Sequence, residues 1–242
     1  MRTLVTGGTR GIGAAVALRL AADGHDLVLG YARDESAAAA TQAQCRDLGV
    51  DCSTVRADLT SDAGIDRLFT AAGRLTGVVN NAGATLHLGR LADTTPDVVR
   101  ATIDLNLTAA VLVARAAVLA MAPSRGGDGG VLVNISSGAA TLGSPGEYVQ
   151  YAAAKAGVDA LTLGLAQEVA GDGIRVVGVA PGIIDTTIHA DAGEPGRVER
   201  VGPLVPLGRA GQVEEVAAAV AWLMSGEASY VTGTTLRLAG GR

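Results

Sequence analysis

Aromatic residues are scarce in this 242-residue chain. One Trp, one Phe and four Tyr make up 2% of it. Proteins that bind single-stranded nucleic acid stack bases on aromatic rings, so that role is disfavoured. Basic residues are outnumbered, with 19 Lys and Arg against 24 Asp and Glu, for a formal net charge of −5. A protein that neutralises phosphates along a duplex is expected to be basic. Only two cysteines occur, Cys45 and Cys52. They are too few for a disulfide framework and are expected as buried or half-buried thiols in a reducing cytosol. Three scattered His and two Cys form no metal-ligand pattern, and no metal is expected. No secretory-type opening is present, because the strand-like run Thr3-Leu4-Val5 begins almost at once. The longest apolar stretch, Leu107 to Ala122, is broken by Arg115 and falls short of a membrane span. A cytoplasmic protein that engages neither membrane nor nucleic acid is therefore expected.

What the chain does have is apolar residues and glycine. Hydrophobic residues make up 48% and charged residues 18%, enough for a real core. The 34 glycines are roughly twice ordinary usage and lie between apolar runs, where turns need them. Short β-rich runs alternate with longer Ala-rich helical patterns. The runs Arg2–Thr6, Asp26–Tyr31, Ser53–Ala57, Gly77–Asn80, Gly130–Ile135, Ile174–Ala180 and Thr235–Ala239 read as strands. Helical patterns lie near Ile12–Ala22, Ser36–Leu48, Ser61–Ala72, Pro96–Met121, Tyr148–Ala170 and Val213–Met224. Strand runs such as Val131-Leu132-Val133 are apolar on both faces, as in a parallel sheet covered by helices. The alternation predicts a single-domain α/β fold, a doubly wound, Rossmann-like, seven-stranded parallel sheet spanning residues 1–242. Trp222 lies in an apolar helical stripe and is expected in the core.

The first strand ends in Thr6-Gly7-Gly8-Thr9-Arg10-Gly11-Ile12-Gly13 and runs into an amphipathic helix. Glycines there permit a tight turn and let backbone N–H groups approach a pyrophosphate, with the helix N-terminus adding positive potential. No Gly-Lys-Ser/Thr follows, which disfavours a nucleotide triphosphatase loop. Further on, Tyr151 and Lys155 stand four apart on one helical face, so an ammonium can sit beside a phenol and favour its ionised form. Ser136 and Ser137 close the fifth strand, Asn80-Asn81-Ala82-Gly83 close the fourth, and Pro181-Gly182 with Thr186 follow the sixth. Open α/β sheets bind ligands at that carboxyl edge. Adjacent strand residues point to opposite faces, so one of Ser136 and Ser137 serves the crevice.

These landmarks, in this order, resemble the short-chain dehydrogenase/reductases of the single-domain branch over nearly the whole chain. The resemblance implies NAD(P)-dependent interconversion of a carbonyl and a secondary alcohol. It makes Tyr151 the acid/base, with Lys155 lowering its pKa and holding the nicotinamide ribose. It makes Ser137 the partner of the substrate oxygen, with Ser136 packing or bonding the backbone. Asn106 would hold a water that links Lys155 to solvent. For the cofactor it implies Gly7, Thr9, Arg10, Gly11, Ile12 and Gly13 at the phosphates, and Asp58 with Leu59 at the adenine. Asn81, Ala82 and Gly83 would form the ribose wall, and Pro181, Gly182, Ile184 and Thr186 would meet the nicotinamide. Tyr148 is expected as a pocket wall.

The second strand ends Tyr31-Ala32-Arg33 with no acid at its tip, while Arg10 and Arg33 flank the ribose position. Two guanidinium groups suit a 2′-phosphate, so NADP(H) is expected, with NAD possible if Asp34 turns toward a 2′-hydroxyl. The substrate pocket is expected among Thr85–Leu88, Gly138–Tyr148 and a Gly- and Pro-rich loop near 183–207. His87, Glu147, Tyr148 and His189 are candidate polar contacts there, each weighed against a role as a rim residue. His25 is expected to be structural. Arg115, Arg125 and Arg175 are candidates for a basic docking patch for a carrier protein. A homotetramer or homodimer is expected. The alternatives are an NAD-preferring alcohol or sugar dehydrogenase, a sugar-nucleotide epimerase, for which the chain is short, and a non-catalytic dinucleotide-binding regulator.

Overall fold

The computed structural model describes residues 1–242, the side chain of His189 excepted, so the candidate contact at His189 lies outside the described residues. The strands are β1 (Arg2–Val5), β2 (Asp26–Tyr31), β3 (Cys52–Arg56), β4 (Gly77–Asn80), β5 (Gly130–Ile135), β6 (Ile174–Pro181) and β7 (Thr235–Leu238). All pair in parallel, in the order β3-β2-β1-β4-β5-β6-β7. The order reverses between β1 and β4, which opens a crevice at their carboxyl ends. The helices are α1 (Gly11–Ala22), α2 (Glu35–Asp47), α3 (Asp62–Ala72), α4 (Pro96–Ile103), α5 (Ala109–Met121), α6 (Ala139–Leu142), α7 (Val149–Val169), α8 (Ile188–Asp191), α9 (Arg197–Val201) and α10 (Val213–Met224).

Strand alternation divides the core between the two faces of the sheet. Val5, Leu27, Leu29, Val133 and Val177 pack under α1, α2 and α10. Their neighbours Leu4, Val28, Leu132 and Val176 pack under α3, α5 and α7. Cys45 and Cys52 are both free and buried in the first of these layers. His25 is buried and shares a hydrogen bond with Thr3 Oγ1 at 3.0 Å, a structural role.

Four sequence expectations change in the fold. The helical pattern over 96–121 is interrupted by a π-helical turn, Asp104–Thr108, that separates α4 from α5. The whole run is 26 residues long and apolar enough by composition to cross a membrane. Here Ala109, Val113, Ala117 and Met121 of α5 are instead buried against the sheet. Trp222 is 40% exposed. The buried stripe of α10 runs through Val216, Val220, Leu223 and Met224. Residue 222 is rotated about 200° from 220 at 3.6 residues per turn, so it faces outward. Arg175 is no docking residue, for its guanidinium donates to the carbonyls of Leu223, Ser225 and Val231. It satisfies the orphan carbonyls beyond the end of α10.

A buried amide chain ties the layers together beneath the crevice. Asn80 Nδ2 donates to the Ala110 carbonyl at 2.9 Å and to Asn134 Oδ1 at 3.0 Å. Asn134 Nδ2 donates to Thr162 Oγ1, which donates to the Val158 carbonyl. Asn134→Ala leaves buried groups unpaired, and each costs ~1–3 kcal/mol. At fixed protein concentration the urea midpoint is expected to fall clearly. An unchanged midpoint would show the chain to be dispensable.

Candidate active site

The glycine turn between β1 and α1 has little latitude. Gly7 and Gly11 adopt φ of +61° and +50°, a region that favours glycine. A Cβ on Gly13 would lie 2.1 Å from the Gly7 carbonyl oxygen, so the helix can approach the turn only without one. Thr6 Oγ1 accepts from the backbone N–H groups of Asn81 and Ala82 at 2.9 and 3.0 Å. Asn81 Nδ2 donates to the carbonyls of Thr6 and Gly7. Asn81 thus braces the turn while lining the crevice. Arg10 occupies the N-cap of α1, and no side chain caps that helix. Its first N–H groups are therefore available to an anion.

The crevice encloses about 1590 Å³ and runs from β2 to the 183–197 segment. It gathers nearly all the residues expected at a dinucleotide: Gly7, Thr9, Arg10, Gly11, Ile12, Gly13, Arg33, Asp58, Asn81, Ala82, Gly83, Pro181, Gly182, Ile184 and Thr186. Leu59 is the exception. It is buried in the core layer under α3 and does not line the crevice.

At the β2 end, Asp34 is the N-cap of α2, and its Oδ1 accepts from the Ala37 N–H at 2.9 Å. That role turns one carboxylate oxygen to the helix. Asp58 Oδ1 accepts from both the N–H and the hydroxyl of Thr60, which holds its carboxyl below the usual range. Arg33 is joined in lining this end by Arg56 and Arg67, which the sequence reading did not single out. Arg56 comes from the end of β3, beside Tyr31 in the register, and Arg67 from α3. Arg10 pairs with Asp191 of α8 at 3.7 Å, with both side chains more than half exposed. Such pairs are worth at most ~1 kcal/mol and yield readily to a better partner.

The opposite end is buried. Tyr151 and Lys155, one turn apart on α7, are 8% and 4% exposed. Lys155 Nζ donates to the Ile135 carbonyl at the end of β5 at 2.8 Å, and stands 5.7 Å from the centre of the Tyr151 ring. A Cβ on Gly83 would fall 2.7 Å from Asn106 Oδ1 and 3.4 Å from Lys155 Nζ, so any side chain there would press on the bonded Asn106 amide. Tyr151 and Ser137 line the same stretch of crevice, and Ser137 Oγ accepts from the Ala139 N–H at 3.1 Å. Ser136 turns away, and its hydroxyl donates to the Lys155 carbonyl at 3.2 Å. Asn106 sits in the π turn, fully buried. Its amide donates to the Ala84 and Thr102 carbonyls, and its Oδ1 accepts from the Ala84 N–H. With both amide hydrogens committed, its side chain fixes the Gly83–Ala84 wall.

The electrostatics differ from expectation in one respect. Burial pushes the Tyr151 phenol up, with the nearby Ser137 hydroxyl acting the other way and Tyr148 adding to the rise. The phenol therefore keeps its proton at neutral pH. Burial also pulls the Lys155 ammonium down to about 8, opposed by Asp159.

Around Tyr151 the walls come from three loops. Thr85 and Leu86 line the crevice, whereas His87 and Leu88 do not. His87 instead places its ring beside Gly89, where a Cβ would lie 2.7 Å from Nε2. Leu142, Pro145 and Tyr148 form a second wall, and Ile183, Ile184 and Ile188 a third. The third wall carries α8 and α9, short helices that its Gly- and Pro-rich sequence concealed. Arg197 of α9 is buried and forks onto Glu147, a residue pair not singled out together in the sequence.

Residues 7–242 match the family model described as "Enoyl-(Acyl carrier protein) reductase". The chain is 45% identical to "Uncharacterized oxidoreductase YgfF" of Escherichia coli, covering 99% of this chain and 98% of that one. It is 39% identical to "3beta-hydroxysteroid dehydrogenase 1" of Eggerthella lenta, over 98% and 92%. It is 38% identical to a 3-oxoacyl-[acyl-carrier-protein] reductase of Synechocystis, over 98% and 95%. Among solved structures, a short chain dehydrogenase from Burkholderia cenocepacia in complex with NADP superposes with a TM-score of 0.89 at 34% identity, over 99% and 96%. Fold, crevice and relatives agree: the chain belongs to the short-chain dehydrogenase/reductase family of NAD(P)-using oxidoreductases.

Proposed function

We propose that the protein is an NADP(H)-dependent carbonyl reductase, which also runs in reverse on the secondary alcohol. The observation that carries this reading is the gathering of Ser137, the buried Tyr151 and the buried Lys155 in one part of the crevice, with Lys155 tied to the end of β5. A phenol that holds its proton at neutral pH is suited to donate it. Ser137 would orient the substrate oxygen, and Tyr151 Oη would deliver its proton to that oxygen as negative charge develops there. A bound nicotinamide supplies the hydride. The glycine turn, the uncapped N-terminus of α1 and the bare wall at Gly83 fit a dinucleotide. Lys155 faces the same wall and would hold the nicotinamide ribose and restore the Tyr151 proton. Asn106 would keep the Gly83–Ala84 wall in place and, with an ordered water, link Lys155 to solvent.

The substrate end is lined by Leu86, Leu142, Ile183, Ile184 and Ile188, and the buried Arg197 is already matched by two carboxylates. Those features favour an uncharged ketone or acyl carbonyl. The relatives named for steroid and 3-oxoacyl substrates support the reaction class and differ over the substrate. Exposed apolar residues support a homo-oligomer. Val111 and Leu163 lie on the long helices, and Leu236 lies on the edge strand β7.

Tyr151→Phe keeps the ring and removes the proton donor. Turnover on the best carbonyl of a ketone and 3-oxoacyl thioester panel is expected to fall at least a hundredfold, with NADPH affinity retained. Near wild-type turnover in this variant would contradict the assignment.

Arg33, Arg56 and Arg67 beside a capped Asp34 favour a 2′-phosphate. Charge-assisted pairs reach ~1.5–3 kcal/mol, reduced by exposure. A preference for NADPH over NADH of at least tenfold in kcat/KM follows, at ~1.4 kcal/mol per decade. Arg33→Ala should raise KM for NADPH and leave NADH use unchanged. Equal use of both dinucleotides by the wild type would reject the arginine argument.

The Lys155 ammonium loses its proton as pH rises through about 8. Its charge and its proton are then lost to the site. Carbonyl reduction should therefore be level below pH ~7 and decline through pH ~8 to 9, while alcohol oxidation rises. A profile for kcat/KM that is flat from pH 6 to 9 would contradict this role.

A further inference from the structure

Arg197 is an unusual residue for a surface loop. It opens the five-residue helix α9, yet its side chain is 3% exposed. Its guanidinium makes four hydrogen bonds, three of them to residues about fifty positions earlier in the chain. Nη1 and Nη2 fork onto Glu147 Oε1 and Oε2 at 3.0 and 2.6 Å. Nη1 also donates to Glu194 at 2.9 Å, and Nη2 to Tyr148 Oη at 2.9 Å. Only Nε lacks a partner. The guanidinium carbon lies 5.1 Å from the centre of the Tyr148 ring. That ring in turn meets Tyr151 edge to face, with centres 5.4 Å apart and planes at 87°.

Glu147 is the other half of the arrangement. Its backbone carbonyl accepts from the Gly89 N–H at 2.7 Å. The loop after β4, the loop before α7 and the segment carrying α9 therefore meet at this one residue. These are the three walls around Tyr151. Arg200 adds a bond from Nε to Glu194 Oε1 at 2.7 Å and approaches Glu147 at 3.8 Å. Two guanidinium groups face two carboxylates, so the cluster is neutral and self-contained. Forked Arg–carboxylate pairs fix geometry as well as charge, which a lysine at this position does not do.

We propose that Arg197 is a positioning residue that clamps the substrate loop onto Glu147 and Tyr148 and so holds the Tyr148 ring against Tyr151. The clamp sets the width of the carbonyl pocket and leaves the dinucleotide end untouched. Substrate entry then requires the α9 segment to be seated, which makes Arg197 a determinant of carbonyl affinity. The inference deepens the proposed carbonyl reduction, and its kinetic test rests on that reaction, whereas the proteolytic test does not.

The experiment compares wild type with Arg197→Met, Arg197→Lys and Tyr148→Phe, using the carbonyl that the wild type reduces fastest. Arg197→Met is expected to raise KM for the carbonyl tenfold or more. Its NADPH dissociation constant, from fluorescence titration, should stay within twofold of wild type. Arg197→Lys should recover only part of the loss, because it keeps the charge without the fork. Adding Tyr148→Phe to Arg197→Met should cost less than Tyr148→Phe costs alone, since the two share one contact. Subtilisin should cut residues 183–207 faster in Arg197→Met than in wild type. Unchanged carbonyl KM and cleavage rate would overturn the clamp, as would equal losses of carbonyl and NADPH binding. If Arg197→Met does not fold, Tyr148→Phe decides: a raised carbonyl KM with unaltered melting supports the clamp, and an unaltered KM overturns it. Should the wild type reduce no carbonyl, the proposed reaction fails and the cleavage rates alone judge the clamp.

Discussion

The hydrogen bond from Lys155 Nζ to the Ile135 carbonyl is the interaction on which the site depends. Removing an ammonium from water costs several kcal/mol, and the cost is bearable only where its hydrogens find acceptors. Here the acceptor is the end of the central strand β5. The Ser136 hydroxyl returns the link by donating to the Lys155 carbonyl, and Asn134 reaches Thr162 two turns further along α7. Three polar contacts thus fix α7 in rotation and height against β5. Tyr151, one turn before Lys155, is brought to the same stretch of crevice as Ser137 in consequence. Hydrophobic packing alone would leave a helix free to slide by small amounts, because it is non-directional. Directional bonds from consecutive strand residues remove that freedom.

The crevice is divided by dielectric. At the β2 end, Arg33, Arg56 and Arg67 border an open site where charge is screened and individual pairs are weak. At the β5 end Tyr151 and Lys155 are enclosed, and burial dominates their ionisation. The same physics assigns different work to the two ends. In the proposed reaction the exposed arginines would select a dinucleotide by summed modest attractions, while the buried groups would hold a proton in place for one defined atom.

Much of this was legible in the sequence, for identifiable reasons. The central strands are apolar on both faces, and the runs of all seven fall within a residue of the observed boundaries. Tyr151 and Lys155 share a helical face by spacing alone, and the closing residues of β4 and β5 reach one edge by topology. Other features had no local signature. Arg197 meets Glu147 across fifty residues, and no period links them. Arg56 and Arg67 carry no local signal, because the β2–β3 register and the seat of α3 bring them to the crevice. The helices α8 and α9 span four and five residues, too short for periodicity to register among Gly and Pro. Trp222 misled because hydrophobicity was read without its angular position on α10. The ionisation of Tyr151 misled because spacing places Lys155 nearby without revealing that its ammonium is bonded to Ile135 and that the phenol is buried.

Ultraviolet difference titration tests most directly the claim that burial sets the state of the Tyr151 phenol. The chain has four tyrosines, so subtracting the titration of Tyr151→Phe from that of wild type isolates one of them. With no dinucleotide added, the account predicts no tyrosinate absorbance from Tyr151 up to the ordinary phenol range near pH ~10. A tyrosinate that appears between pH ~7 and 9 and disappears in Tyr151→Phe would contradict it, and would return control of the site to the charge of Lys155.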